Sequence, residues 1–255
     1  VFRHGDRAPM AGSTSRESES YYFRGKEQLT DKGLQQAYQL GLSLRRRYVD
    51  NGFLDARFLP SQVVFRSSPV ERCLMTASAV ASAMFNITED GRPIAVPIFT
   101  VPKKDDFVCV PRLECPFVVR EMAETLGVSK PLPTMHDAGL AVPQWFDDEA
   151  RKEADHLLDL HDATISALLD SLGILKEALA PQGRPDFTAA IAFEVWRNDS
   201  GHYVKIFYRR GSSNDEFNEM MTSRLSCVGE EKCPLDEITK ALEKFGSDAP
   251  QLLCE

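Results

Sequence analysis

Arg3-His4-Gly5-Asp6-Arg7-Ala8-Pro9, directly after the apolar pair Val1-Phe2, crowds two guanidiniums and an imidazole into five residues. Arginine offers a planar fork of N–H donors that suits phosphate oxygens, and Gly5 lets the backbone turn or approach where a side chain would block it. The natural occupant of such a loop is an anion. Like charge on either side disfavours the cationic form of His4, so the ring keeps a lone pair for attack on phosphorus. The plainer interpretation is a solvated cationic surface near a terminus, and spacing alone does not separate the two.

Working outward, residues 10–29 are rich in Ser, Gly and Tyr and read as a surface loop beside the site. A helix follows from Thr30 as N-cap, with Leu34, Ala37, Tyr38, Gly41, Leu42, Leu44 and Tyr48 on one face. Arg45-Arg46-Arg47 reads as C-terminal capping and solvation. Gln62-Val63-Val64-Phe65-Arg66 reads as a short buried strand. Ser68 at N-cap, Pro69 at N1 and Glu71 at N3 then start a helix. A strand running into a helix N-terminus is a prepared anion site, and Arg66 stands at the strand's C-terminal end.

Further along, Ile94-Ala95-Val96-Pro97-Ile98 suggests an edge strand, and residues 118–126 and 147–160 two amphipathic helices joined by a proline-rich segment. His161-Asp162 precedes Thr164, read as the cap of a helix over residues 165–175. Residues 188–196 and 202–208 form a hairpin around Asn198-Asp199-Ser200-Gly201. Glu194 is read as a solvent-facing strand carboxylate, and His136, His156 and His202 as surface residues without a role.

The heptapeptide resembles the RHGxRxP signature of the histidine acid phosphatases, the branch of the histidine phosphatase superfamily that includes prostatic and lysosomal acid phosphatases and phytases. Residues 66–72 resemble that family's second arginine segment, and His161-Asp162 its His-Asp segment. The resemblance implies that His4 is transiently phosphorylated, that Arg3, Arg7, Arg66 and His161 grip the phosphate, and that Asp162 supplies the proton a poor alkoxide leaving group needs. It implies a three-layer α/β sandwich with a mainly parallel sheet flanked by helices, its core in residues 1–115 and 161–255. Residues 116–160 would form a small helical cap. Family members carry a much longer insertion, whereas only 95 residues (161 − 66) separate Arg66 from His161. That spacing points to a shortened variant or to omitted residues, the second being preferred. The chain opens inside what the family makes its first core strand, which reads as a cut N-terminus.

At 255 residues, 43% of them hydrophobic, the chain can bury a substantial core. A net charge of −8 with mixed signs argues against nucleic acid as a partner, and no apolar run approaches a membrane span. Six cysteines show no metal-ligand spacing, so no metal or other cofactor is expected and disulfides are the expected use. The family has a close pair before its last helix, which implies a Cys227–Cys233 disulfide; Cys115 with Cys254 is the second implied pair. Cys73 reads as a small buried hydrophobe. Sequons at Asn86 and Asn198 agree with an oxidising compartment and with a secreted or lysosomal protein. The expected substrate is a phosphate monoester, and a homodimer is the assembly the resemblance allows. The rival from another class is a catalytically silent secreted protein of the same fold that binds phosphate or phospholipid.

Overall fold

A computed structural model of the chain describes residues 1–10, 15, 17, 20–85, 94–103, 106, 160–180, 184–199, 201–211, 216–220 and 233–243. The fold is mixed α/β. In chain order the elements are α1 (Asp31–Leu44), β1 (Phe65–Arg66), α2 (Glu71–Met84), β2 (Ile98–Phe99), α3 (Leu160–Ser171), α4 (Leu175–Leu179), β3 (Ala190–Asn198), β4 (Gly201–Arg209), β5 (Asn218–Met220), β6 (Cys233–Pro234) and α5 (Leu235–Glu243).

The N-terminal segment lies antiparallel to the start of β3. Val1 and Ile191 exchange backbone hydrogen bonds of 2.9 and 2.8 Å, Arg3 N–H donates to the Ala189 carbonyl and Thr188 N–H to that of His4. The expected hairpin is present with nine residue pairs from Ala190↔Arg209 to Asn198↔Gly201, and β5 and β6 both pair antiparallel with β4. Parallel pairing among the described strands is confined to β1 and β2, in register Phe65↔Ile98 and Arg66↔Phe99. The expectation of a mainly parallel sheet is therefore not met by the described strands. A two-residue connection such as the one between Asn198 and Gly201 can join only antiparallel neighbours, whereas parallel ones need a long crossover.

Among the described residues two apolar clusters form the core. Ile165, Leu169, Leu172 and Ile174 pack on Ala189, Ile191, Val204 and Ile206 in one. Ala37, Leu40, Val80, Met84, Phe85 and Phe65 form the other, with Ala190. Consecutive residues of β3 thus enter different clusters, the direct result of a period of two along a strand.

Several boundaries differ from those the sequence suggested. Thr30 does cap α1, its hydroxyl accepting from Gly33 N–H, but the second helix begins at Glu71 after an extended Val70 with no side-chain cap. Ser67 and Ser68 are buried instead. The strand at residues 62–66 narrows to two residues, and the one at 94–98 shifts to Ile98–Phe99, beyond the proline that lacks a donor. The helix expected from 165 begins at Leu160, so Thr164 lies within it and does not cap it.

Arg45–Val49 continues α1 as a π-helical turn. The extra residue per turn carries Arg47 away from the role of a solvated cap. Its Nε donates to Glu194 at 2.6 Å, and its guanidinium lies 3.9 Å from the centroid of the Phe207 ring. Tyr48 Oη donates to the same carboxylate oxygen at 2.9 Å and Trp196 Nε1 to the other at 3.2 Å. Glu194 is thus not solvent-facing: its side chain is 12% exposed and joins the end of α1 to β3. Burial, followed by the hydrogen bond to Glu194, pushes the Tyr48 phenol up to about 12.

The expected cap, the sequon at Asn86, Cys115, Cys227, Cys254, His136 and His156 lie outside the described residues. Cys233 is held in a disulfide, while its expected pairing with Cys227 falls outside them. Cys73 is half-buried in α2, and His202 is exposed on β4, as a surface residue should be. Among the described residues no helix is long and apolar enough to cross a membrane.

Candidate active site

The loop Arg3–Asp6 leaves the edge of β3 and is held by both helices that follow it. Gly5 N–H donates to Thr76 Oγ1 on α2 at 3.2 Å, and Asp6 N–H donates to Gln36 Oε1 on α1 at 2.8 Å. Thr30 closes the other side: its backbone N–H donates to the Asp6 carbonyl at 3.0 Å and its hydroxyl to Asp6 Oδ2 at 2.5 Å. Thr76 in turn donates to the Arg72 carbonyl at 2.7 Å. The Thr30 side chain therefore both caps α1 and binds the loop, and the N-terminal halves of two helices meet the motif backbone.

His4 is 2% exposed, and its Nδ1 lies 2.7 Å from the Gly5 carbonyl oxygen. A carbonyl can only accept, so Nδ1 carries a proton, and in the neutral ring the lone pair is then on Nε2. The ring of Phe187 lies 5.9 Å from that of His4 and 4.3 Å below the guanidinium carbon of Arg3. Arg3 is buried, and its Nη1 donates to the Pro185 carbonyl at 2.8 Å. Cation–π contact with Phe187 and this backbone acceptor fix the Arg3 guanidinium beside the imidazole. The Phe187 turn is itself braced by Arg209, 1% exposed, which donates to the Thr188 carbonyl at 2.8 Å. Thr188 holds a left-handed φ of 57°.

Arg66 reaches the site from the end of β1. It lines a cavity of about 620 Å³ together with His4, Ser67, Ser68, Thr76 and Thr164. Its Nη2 donates to Asp106 Oδ1 at 3.1 Å; the Arg66 side chain is 45% exposed and that of Asp106 fully buried. Arg3 and Arg7 do not line this cavity. Arg7 sits on the flank, bridged to Leu29, with Nη1 donating to the Ala8 carbonyl at 3.0 Å. His161 and Asp162 fall in the first turn of α3, whose Thr164 reaches the same cavity, and their side chains are outside the described set. Of the six residues singled out in the sequence, His4 and Arg66 are thus brought to one cavity, with the start of α3 beside it.

Thr76, Gln36, Phe187, Arg209 and Asp106 escaped the sequence analysis. Each acts across 21 residues or more, on a partner that no local pattern connects to it. Asp106 in particular lies in the charged run Lys103-Lys104-Asp105-Asp106, within a stretch that carries no regular period.

A buried histidine in a loop tied to two helices of an α/β frame, with an arginine lining the same cavity, is an arrangement suited to handling a phosphoryl group. The sequence model of the histidine phosphatase superfamily (branch 2) matches residues 1–127. Putative acid phosphatase 1 of Caenorhabditis elegans is 30% identical, in an alignment covering all of this chain and 81% of that protein; its Caenorhabditis briggsae counterpart is 31% identical with the same coverage. Both alignments extend over 352 positions against the 255 residues here, so the relatives carry a long stretch with no counterpart in this chain. Prostatic acid phosphatase of Mus musculus is 23% identical over 95% of this chain and 84% of its own. The phytase of Citrobacter braakii superposes with a TM-score of 0.61 at 12% identity, covering 97% of this chain and 96% of the phytase, a likeness of fold. The chain belongs to the histidine acid phosphatases, branch 2 of the histidine phosphatase superfamily. Phosphomonoester hydrolysis is the activity of that class.

Proposed function

We propose that this chain hydrolyses phosphate monoesters in two steps through a phosphohistidine on His4. In the first, Nε2 attacks phosphorus, the P–O bond to the alcohol breaks, and Asp162 transfers its proton to the departing oxygen. In the second, the Asp162 carboxylate takes a proton from water, whose oxygen attacks the phosphohistidine and frees Nε2. Arg3, Arg7, Arg66 and His161 neutralise the charge on the transferring group, which is most of what phosphoryl transfer requires of a protein. The observation that best supports the reading is the 2.7 Å contact of Nδ1 with the Gly5 carbonyl, because a proton held there leaves Nε2 of the neutral ring available for attack.

An aspartic acid donor, with an ordinary pKa of roughly 3.9, makes an acid optimum the expectation. Hydrolysis of p-nitrophenyl phosphate from acid to neutral pH tests the reading, with His4→Ala prepared in parallel. Turnover on the acid side that disappears in the variant supports it. Undiminished turnover by folded His4→Ala protein overturns it.

The same proposal includes a core of residues 1–115 and 161–255 with helices on both sides of the sheet, favoured by the entry of alternate β3 residues into two clusters, and a cap over residues 116–160. It also includes a secreted or lysosomal setting. Support comes from the disulfide at Cys233, from the exposed hairpin end at Asn198 where a glycan has room, and from relatives named lysosomal and prostatic acid phosphatases.

A further inference from the structure

We infer that Asp106 is the positioning residue of Arg66, holding its guanidinium in place for phosphate; the inference rests on the phosphate role of Arg66 proposed above. Arg66 stands at the end of a two-residue strand with its side chain 45% exposed. Left to itself, an arginine so exposed samples many rotamers, and ordering it on a ligand costs affinity. Asp106 removes that freedom. Its side chain is fully buried, and its Oδ1 receives the Arg66 Nη2 hydrogen bond at 3.1 Å.

A buried carboxylate requires a cationic or hydrogen-bonding partner. The 40 residues between Arg66 and Asp106 make this a tertiary contact, so the two side chains meet only once β1 and β2 have paired. One arm of the planar fork is committed to Asp106, and the remaining donors keep a fixed plane facing the cavity that His4 lines. Asp106 does not touch the reacting atoms in this scheme; its effect on phosphate passes through Arg66.

Acting through one partner gives a specific signature in a double-mutant cycle. Inorganic phosphate serves as the probe, its binding to the full chain followed by calorimetry, with thermal unfolding recorded for every variant. Arg66→Ala should weaken phosphate binding, and Asp106→Asn, which keeps the shape and removes the charge, should weaken it about tenfold or more. Asp106→Asn added to Arg66→Ala should cause no further loss. Wild-type phosphate affinity in Asp106→Asn overturns the inference. So does a loss that adds fully to that of Arg66→Ala, since a general structural role would produce it. Unchanged affinity in Arg66→Ala instead overturns the phosphate role of Arg66, and the positioning role with it. Should the asparagine variant fail to fold, Asp106→Glu keeps the charge and displaces the guanidinium. Reduced phosphate affinity in folded Asp106→Glu then supports the inference, and wild-type affinity overturns it.

Discussion

A Cβ on Gly5 would stand 2.2 Å from the carbonyl oxygen of Gly33, and one on Gly33 would stand 2.0 Å from that of Asp6. The motif loop and the first turn of α1 thus rest backbone on backbone, closer than any side chain permits. The contact brings Asp6 within reach of Thr30 and Gln36.

Substitution of Gly33 by Ala should therefore be felt at His4. The two nearest obstructing atoms, O and N of Asp6, are backbone, so the loop itself must move, at a cost of about 1–3 kcal/mol in stability. Thermal unfolding and p-nitrophenyl phosphate turnover of Gly33→Ala should both fall. A variant with parental turnover would show that the loop tolerates displacement.

Thr76→Val keeps the shape of the side chain and removes the acceptor for Gly5 N–H. The expected cost is about 1–2 kcal/mol of stability, the range for one buried hydrogen bond left unmade. Turnover should drop by about tenfold, because the loop loses its tie to α2. Equal kcat in parent and variant would assign Thr76 to stability alone.

Asp162→Asn should distinguish substrates by leaving group. An alkyl phosphate releases a strongly basic alkoxide and needs the proton, whereas p-nitrophenolate departs more readily without it. Parallel kcat measurements should show the alkyl ester losing more, by about a hundredfold as against a smaller drop for the aryl ester. Equal losses on both would remove Asp162 from the proton-donor role.

Glu194 accepts from Arg47, Tyr48 and Trp196, so Glu194→Ala leaves three donors without this acceptor. With the Arg47 side chain 26% and the Glu194 side chain 12% exposed, a loss of about 1–3 kcal/mol is expected, below that of a fully buried pair. Chemical denaturation gives the comparison directly.

The phenols of Tyr48 and Tyr208 are both pushed up to about 12 from the ordinary 10.0, mainly by burial. A raised folded-state pKa means that the unfolded chain gives up these protons first. Their contribution to stability is complete below about pH 10 and is lost as pH rises toward 12. Absorbance at the tyrosinate band should show a component with its midpoint near 12, and Tyr48→Phe should reduce it. A titration finished by pH 11 in folded protein would contradict the burial of both rings.

Much of this protein was legible in residue order. The heptapeptide around His4 announced an anion site because donor chemistry and glycine are local properties. Thr30 announced the start of α1 because a cap is satisfied within three residues, and the β3–β4 hairpin followed from alternation around a short polar turn. Tertiary structure decided the rest. Glu194 and Arg47 each read as solvated until the π-helical turn brought them together across 147 residues. Ser68 looked like a cap until packing buried it and moved the helix start to Glu71. Thr76, Phe187, Arg209 and Asp106 carry no motif, and what they do depends on distances that close only on folding. The sequence by itself determined the chemistry of the loop, since reactivity belongs to residue types. Only the tertiary structure decided which nitrogen of His4 keeps its lone pair and which carboxylate holds Arg66, because orientation comes from neighbours that the chain order does not name.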